Sequence, residues 1–583
     1  MDNANLTVGS ENSAKRKREL FDSVEIKGLS AKSARFFYSS RLSKAIRSFS
    51  KTLACTSARV YGLVFLSFGL LTLFLHLAEY YFMDDPAVEI SSLVIGASFM
   101  LFSVFFLISD KPIGRALQSV AILDFLIFDL FSINRMHYRD AERGFGASIG
   151  IIFGFILSIF GFFFPTEYAV LLIIALVFFS VAMISPEFPY IFSLLIFPYL
   201  TVIPHSSYIL AGLIALSVIS FARKVLIGKR VYSFEIYDLV LIFFILTVLI
   251  TSVFLGGSAP TESALLITVF IIGYIPASNM AVNRRIFDCI SGAVTASAIP
   301  VSIYSVIDYS IRSAFFERRA AAAFFNSAET FAAYLFAVIL LSVYLAYNRR
   351  RHATKYYYGL TAVLSFAALI CTESFLIPIA LAVAVAAVVI LASKKAPKWT
   401  LLFLLFVPLL VFLLPSRALG WLSDKLSVSP SLGVRRRSII DSLGFFGRNI
   451  FLGAGGGDSY DASLFGYNAY LGIACRFGIL AVIAFIILLI VRMCHLGVFK
   501  KYYSSSAVAF LVDASSIALL LMLVMGSARD IFSQIEMVYY FIAIYGTGSA
   551  ALRLSRKERE ENLSYYKDLG RSDSADIDVF LND

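Results

Sequence analysis

The chain has 583 residues, 59% of them hydrophobic and 15% charged, where soluble domains run nearer half and a quarter; this composition excludes a soluble globular fold. Apolar runs close to the ~20 residues needed to cross a bilayer recur in quick succession, which also excludes a β-barrel with its alternating ~10-residue strands. The formal net charge of +11 does not signal nucleic acid, because the basic residues lie in loops between apolar runs, where they set orientation.

The expected fold is therefore all-α, a polytopic transmembrane helical bundle of about 14–16 spans with one long extracytoplasmic loop. In chain order, residues 1–59 form a basic N-terminal segment carrying KRKR at Lys15 to Arg18. Its length ahead of the first apolar run argues against a cleavable signal peptide. Spans are predicted near 60–82, 89–109, 146–164, 168–184, 190–204, 207–222, 233–255, 263–281, 286–309, 328–347, 357–372, 375–392, 399–415, 468–492, 506–526 and 535–552. Pro186, Pro189 and Pro204 interrupt the 168–204 pair, which reads as half-helices or a re-entrant hairpin. The stretch 113–134 is apolar but broken by Arg115, Asp124 and Asp129, and reads as an interfacial amphipathic helix. The tail 553–583 is charged and reads as disordered toward its end. The domain layout is a cytoplasmic segment 1–59, a transmembrane extension 60–232, a core domain 233–552 with outer loop 416–467, and a cytoplasmic tail 553–583.

With the N-terminus in the cytoplasm, the inner loops collect Arg223/Lys224, Arg284/Arg285, Arg349 to Arg351, Lys394/Lys395/Lys398 and Lys500/Lys501, a positive-inside pattern. Both termini are then cytoplasmic. Three outer loops depart from it: 310–327 with Arg312, Arg318 and Arg319; 416–467 with Arg417, Lys425, Arg435, Arg436, Arg437 and Arg448; and the short Arg529-Asp530 loop. Solvated loop charge is the plain reading. An outward anion site is the sharper one, since the planar guanidinium fork suits phosphate. The five cysteines are scattered without a CxxC, so neither a disulfide framework nor a metal site is expected.

Two stretches carry a resemblance. RAAAAFFNSAETFAAYL runs from Arg319 to Leu335, and RRRSIIDSLGFFGRNIFLGAGGG from Arg435 to Gly457 is followed by GYNAYLGIACRFG from Gly466 to Gly478. Together they resemble the O-antigen ligase and polymerase superfamily over roughly 233–552. Its members show an Arg, then Gly-Thr-Phe, then Asn-Pro-Asn at a helix start. Further on they show an Arg, an amphipathic stretch, a Gly-x-Gly turn, then His-Asn-x-Tyr-Leu and Glu-x-Gly. Arg319, Phe324 and Asn326 match the first motif; one of Arg435 to Arg437, then Gly453, Gly455, Asn468, Tyr470, Leu471 and Gly478 match the second. Ala322, Ala323, Ser327 and Ala328 depart from the first, and Tyr467 and Arg476 stand where the family has His and Glu.

The resemblance implies a metal-independent, cofactor-free membrane glycosyltransferase for surface polysaccharide. The donor would be a polyprenyl-diphosphate-linked glycan and the acceptor a glycan or lipid. Negative charge develops on the leaving diphosphate, and positioned guanidinium donors stabilise it. Arg319 and Arg435, Arg436 and Arg437 are the catalytic candidates for that role, with Glu329 as the proton acceptor. Substrate-binding candidates are Arg318, Asn326, Arg448, Tyr467, Asn468, Arg476 and Arg529; Arg312 is a further one. Tyr467 is a poor base, since a phenol stays protonated at neutral pH; Asp458 and Asp461 are alternatives to Glu329. The plain reading of Glu329 is a carboxylate at a positive helix end. The run Gly453 to Gly457 follows no predicted strand and lacks a P-loop ending, so it reads as a flexible turn that folds the loop onto the bundle. Asn468 reads as a helix N-cap. Arg476, ~12 Å further along the axis, needs a partner at that depth; Asp308, Glu329, Glu79 and Asp513 are candidates. Rival readings are a lipid-linked glycan flippase, a peptidoglycan-type polymerase and an inactive scaffold. The flippase would be expected to show inverted repeats with broken helices.

Overall fold

The computed structural model describes residues 24–26, 39–82, 90–120, 124, 144–203, 205–255, 258–281, 284–315, 320–348, 352–393, 396–425, 432–454, 467–499 and 507–568. Arg318, Arg319, Asp458 and Asp461 fall outside them, as does most of the proposed 113–134 helix beyond Ser119. The fold is an all-α polytopic bundle. Among the described residues, nine helices are long and apolar enough to cross a membrane, and five shorter apolar helices accompany them. The chain divides into two compact units, Gly28–Pro189 with Ile219–Arg230, and Met1–Lys27 with Tyr190–Val218 and Val231–Asp583.

The smaller unit contains α1 (Arg41–Cys55), α2 (Ala58–Phe82), α3 (Ile90–Leu107), α4 (Ile113–Ser119), α5 (Ala147–Phe163) and α6 (Thr166–Ile184). Membrane helices gain little from hydrophobic exclusion of one another, so close packing decides which of them meet. A Cβ on Gly154 would lie 2.6 Å from the Val64 carbonyl, and one on Gly69 would lie 2.6 Å from the Gly96 carbonyl, so α2 touches α5 and α3 backbone to backbone. Polar links inside the apolar packing fix rotation: Thr72 Oγ1 to Ser158 Oγ at 2.9 Å, and Thr166 Oγ1 to Ser92 Oγ at 2.8 Å. α6 is one unbroken helix, so no half-helix exists at 168–184. Its start follows Pro165, whose fixed φ suits a helix entry. The prolines act after it instead: α7 (Glu187–Ile196) is short and tightens into 3-10 turns at Phe197–Val202, where Pro198 supplies no N–H for an i→i−4 bond.

α8 (Ser206–Leu226) precedes a strand that sequence periodicity did not reveal. β2 (Tyr232–Phe234) pairs antiparallel with β1 (Val24–Ile26), in register Val24↔Phe234. The start of α9 (Ile236–Leu255) is pinned there. Glu235 N–H donates to Asp238 Oδ2 at 2.7 Å, the reciprocal half of a capping box. Arg553 Nε lies 2.8 Å from Glu235 Oε1, and Arg553 Nη1 donates to Asn279 Oδ1 at 3.0 Å. Burial pushes the Glu235 carboxyl above the usual range, with Arg553 opposing.

The rest of the larger unit comprises α10 (Ser258–Ile272), α11 (Tyr274–Asn279), α12 (Arg284–Phe315), α13 (Ala328–Asn348), α14 (His352–Cys371), α15 (Ile377–Ala392), α16 (Ser416–Lys425), α17 (Leu432–Arg448), α18 (Ala469–Phe499), α19 (Ala507–Gly526) and α20 (Glu536–Asp568). The 399–415 span is not α-helical. It is two 3-10 runs, Lys398–Phe406 and Pro408–Leu413, whose ~2.0 Å rise per residue still covers ~30 Å. Lys398, read as a loop cation, is 6% exposed and donates to the Ile390, Leu391 and Ser393 carbonyls, closing the C-terminal end of α15. α20 continues to Asp568, so the tail after 553 begins as helix. Arg492 is fully buried; its Nη1 donates to Ser549 Oγ at 3.1 Å and its Nη2 to Ser515 Oγ at 3.2 Å, while the guanidinium lies over the Tyr545 ring.

Candidate functional site

The segment ahead of α13 is anchored by its aromatic pair. Phe325 is buried against Phe331 and Tyr334, at centroid distances of 5.4 and 5.2 Å, and Phe324 stacks on Tyr304 at 4.9 Å. The turn between Ala322 and Phe324 is tight enough that Ala323 sits at φ 46°. Ser327 caps α13, its Oγ accepting from Thr330 N–H at 3.1 Å. Asn326 therefore lies one residue outside the cap, exposed, with its backbone N–H 3.5 Å from Gln534 Oε1. Glu329 falls in the first helical turn and is buried.

The described part of the long loop is largely helical, as α16 and α17. On α17 the buried positions are Leu432, Arg435, Ser438 and Ser442, a spacing that puts them on one helical face. That periodicity sorts the three consecutive arginines: Arg435 turns inward, Arg436 is half-buried with its Nη1 3.2 Å from the Leu414 carbonyl, and Arg437 is exposed. Arg448 is also exposed, in the last turn.

Arg435 meets Glu329. Its Nη2 donates to Glu329 Oε1 at 2.9 Å and its Nη1 to the Ala528 carbonyl at 2.8 Å. The same guanidinium lies 5.3 Å from the Phe375 ring centroid and 5.6 Å from that of Tyr467. Tyr467 is shared, since the Arg529 guanidinium lies 5.2 Å from its centroid. One half-buried phenol ring thus sits beside two cations, an arrangement worth about 0.5–2 kcal/mol per contact.

Asn468 is the N-cap of α18: its Oδ1 accepts from Tyr470 and Leu471 N–H at 3.0 Å each, and its Nδ2 donates to the Ser527 carbonyl at 3.0 Å. Arg476 pairs with Asp530, Nη2 to Oδ2 at 2.9 Å, and not with any of the partners proposed from sequence. Helix side chains lean toward the N-terminal end, which carries this one back to the turn before Ile531–Ser533. Of the rejected partners, Glu329 holds Arg435, Asp308 holds Arg312 at 2.8 Å, and Glu79 lies 3.3 Å from His76.

The glycines work as a pair. Gly453 (φ 63°) brings the end of the loop down so that Ala454 N–H donates to the Cys475 carbonyl at 2.7 Å. Gly478 (φ 75°) breaks α18, and Ile479 N–H donates to the Ile450 carbonyl at 2.8 Å. At Gly453 the turn folds onto α18, as these contacts show; Gly455 to Gly457 lie outside the described residues. Sequence reasoning missed Phe375, Gln534 and Asp530. The first two carry no spacing signal, and Asp530 stands 54 residues from Arg476, with no local pattern to join them.

Chemically, the cluster offers guanidinium donors, a carboxylate held beside one of them, and an aromatic face. Among the described residues no group of His, Cys, Asp and Glu is arranged to hold a metal ion. No protein-family model matches the chain, and no curated protein matches it.

Proposed function

We propose that the protein is a membrane glycosyltransferase that polymerises or ligates a polyprenyl-diphosphate-linked oligosaccharide at the outer face of the cytoplasmic membrane, for surface polysaccharide. Both termini are cytoplasmic in this reading, and the end of the bundle carrying Arg435 faces outward, as the loop charges suggest. The observation that carries it is the meeting of Glu329, Arg435, Tyr467, Asn468 and Arg529, which belong to two motif stretches far apart in sequence and to a third loop.

The acceptor hydroxyl attacks the anomeric carbon of the donor glycan. The bond from that carbon to the diphosphate oxygen breaks, and the electron pair leaves with the polyprenyl diphosphate. Arg435 and Arg529 stabilise the charge that appears on the leaving oxygen, and Arg319 is assigned the same role from its sequence motif alone. Glu329 takes the hydroxyl proton, and Tyr467 offers its ring to a sugar face. The test is to size the surface glycan of cells carrying only Arg435→Gln, Glu329→Gln or Arg319→Ala at equal membrane abundance. Collapse to single-repeat, lipid-bound glycan supports the reading; an unchanged length distribution in all three defeats it.

A second reading, a flippase for the same lipid-linked glycan, is favoured by the break in α18 at Gly478, since broken helices mark many transport sites. It predicts that the variants trap lipid-linked glycan on the cytoplasmic leaflet, whereas the transferase reading predicts that it accumulates outside.

A further inference from the structure

The turn ahead of α13 sends its two phenylalanines opposite ways. Ala321 N–H donates to the Cys371 carbonyl at 2.9 Å, Ala323 takes a left-handed φ of 46°, and Phe325 then turns into the core. Phe324 is left against α12, stacked on Tyr304 at 4.9 Å and 16°, with the Tyr199 ring 6.0 Å away. A residue with a Cβ in that backbone region costs on the order of 1 kcal/mol, and such strain persists only where the surrounding structure holds it. Here the strained residue immediately precedes the ring that meets Tyr304. Tyr304 itself is 43% exposed. Exposed Ile303, Ile307 and Ile311 run along one side of α12, and Tyr304, Asp308 and Arg312 form the adjoining row at the same helical spacing.

The polar groups of that row choose the ligand. Arg312 Nε donates to Asp308 Oδ1 at 2.8 Å, so the pair cancels in charge and suits a neutral, hydroxyl-rich ligand rather than an ion. Asn326, two residues past Phe324, is exposed. Among the described residues neither the Tyr304 hydroxyl nor the Asn326 side-chain amide has a hydrogen-bond partner. An open aromatic face bordered by a carboxylate, a guanidinium, a phenol and an amide matches a pyranose, which offers C–H groups on its face and hydroxyl donors and acceptors around its edge. An acyl chain would lie along the isoleucine row and leave these polar groups unmet. We infer that Tyr304, backed by Phe324, is a platform on which a sugar ring stacks, with Asp308, Arg312 and Asn326 engaging its hydroxyls. Asn326 lies three residues before Glu329, the proposed proton acceptor, so the ring on this platform is the acceptor sugar. Naming it the acceptor rests on the proposed function; the sugar platform itself does not.

The test uses the full-length protein in lauryldimethylamine oxide, a detergent without a sugar head group, and saturation-transfer NMR titration. The probe is the free oligosaccharide released by mild acid from the lipid-linked glycan of the source cells. Tyr304→Leu removes the ring, Tyr304→Phe keeps it without the hydroxyl, and Tyr347→Leu, at an exposed tyrosine near the far end of α13, is the control. The expected result is binding by the unaltered protein, weakened about tenfold by Tyr304→Leu, by no more than about threefold in Tyr304→Phe, and unchanged in Tyr347→Leu. Absence of binding to the unaltered protein overturns the inference, as does undiminished binding by Tyr304→Leu. A loss in Tyr304→Phe or in Tyr347→Leu as large as that in Tyr304→Leu overturns it too, since the ring at this position would then not be what binds. Glycan sizing separates the two claims. Weakened binding in Tyr304→Leu, beside normal glycan length in Arg435→Gln, Glu329→Gln and Arg319→Ala, leaves the platform standing and sinks the proposed function. Undiminished binding in Tyr304→Leu, beside glycan collapse in Arg435→Gln, does the reverse.

Discussion

Arg435 and Glu329 are 106 residues apart in sequence and form a buried pair. Two charges withdrawn from water are held by each other, and removing one takes away the other's ionic partner, at a cost of up to about 3–5 kcal/mol. Glu329→Gln and Arg435→Gln should each lower the thermal unfolding midpoint of the purified protein. The double variant Glu329→Gln/Arg435→Met should recover part of that loss while remaining inactive; a strictly additive double variant would show that the pair is not coupled. The sequence made three arginines equivalent at this position, and only the helical phase of α17 separates Arg435 from Arg436 and Arg437. Asn468 was legible because an N-cap is a local device. The Arg476–Asp530 pair was not, because it depends on where a turn 54 residues away comes to rest.

The loop end and α18 are locked by two glycines in the left-handed region. A Cβ on Gly478 would sit 2.2 Å from the Phe451 carbonyl oxygen, and one on Gly453 would sit 2.6 Å from the Arg476 carbonyl carbon. Gly478→Ala and Gly453→Ala should each destabilise by about 1–3 kcal/mol or more, from strain and collision together. Gly444, on α17 with open space around its Cβ position, provides the opposite sign: Gly444→Ala should be neutral or stabilise by up to about 1 kcal/mol. Thermal unfolding of the three variants checks both, and equal midpoints would mean that the glycine lock does not exist. Element by element, hydropathy located the spans because length and apolarity are set by the bilayer. It could not see the 3-10 geometry of Lys398–Leu413 or the β1–β2 pairing, since neither depends on apolar periodicity.

At the scale of the whole molecule, the charge distribution sets the orientation. Reporter fusions after Asp568 and within 1–23 should report cytoplasm, and a tag inserted in 455–466 should be reached from outside intact spheroplasts; the reverse labelling would invert the site. The bundle itself was legible from composition, while the chemistry at its end depends on residues brought together only by folding. The central claim is glycosyl transfer, and the direct measurement is reconstitution. Purified protein in liposomes is given lipid-linked oligosaccharide extracted from the source cells, and glycan length and released polyprenyl diphosphate are followed together. The account predicts longer glycan, or glycan moved to the acceptor lipid, with polyprenyl diphosphate released in step, at a rate ~100-fold lower for Arg435→Gln than for the unaltered protein. Lipid-linked oligosaccharide that changes leaflet without changing length, and releases no polyprenyl diphosphate, would contradict it and make the protein a transporter.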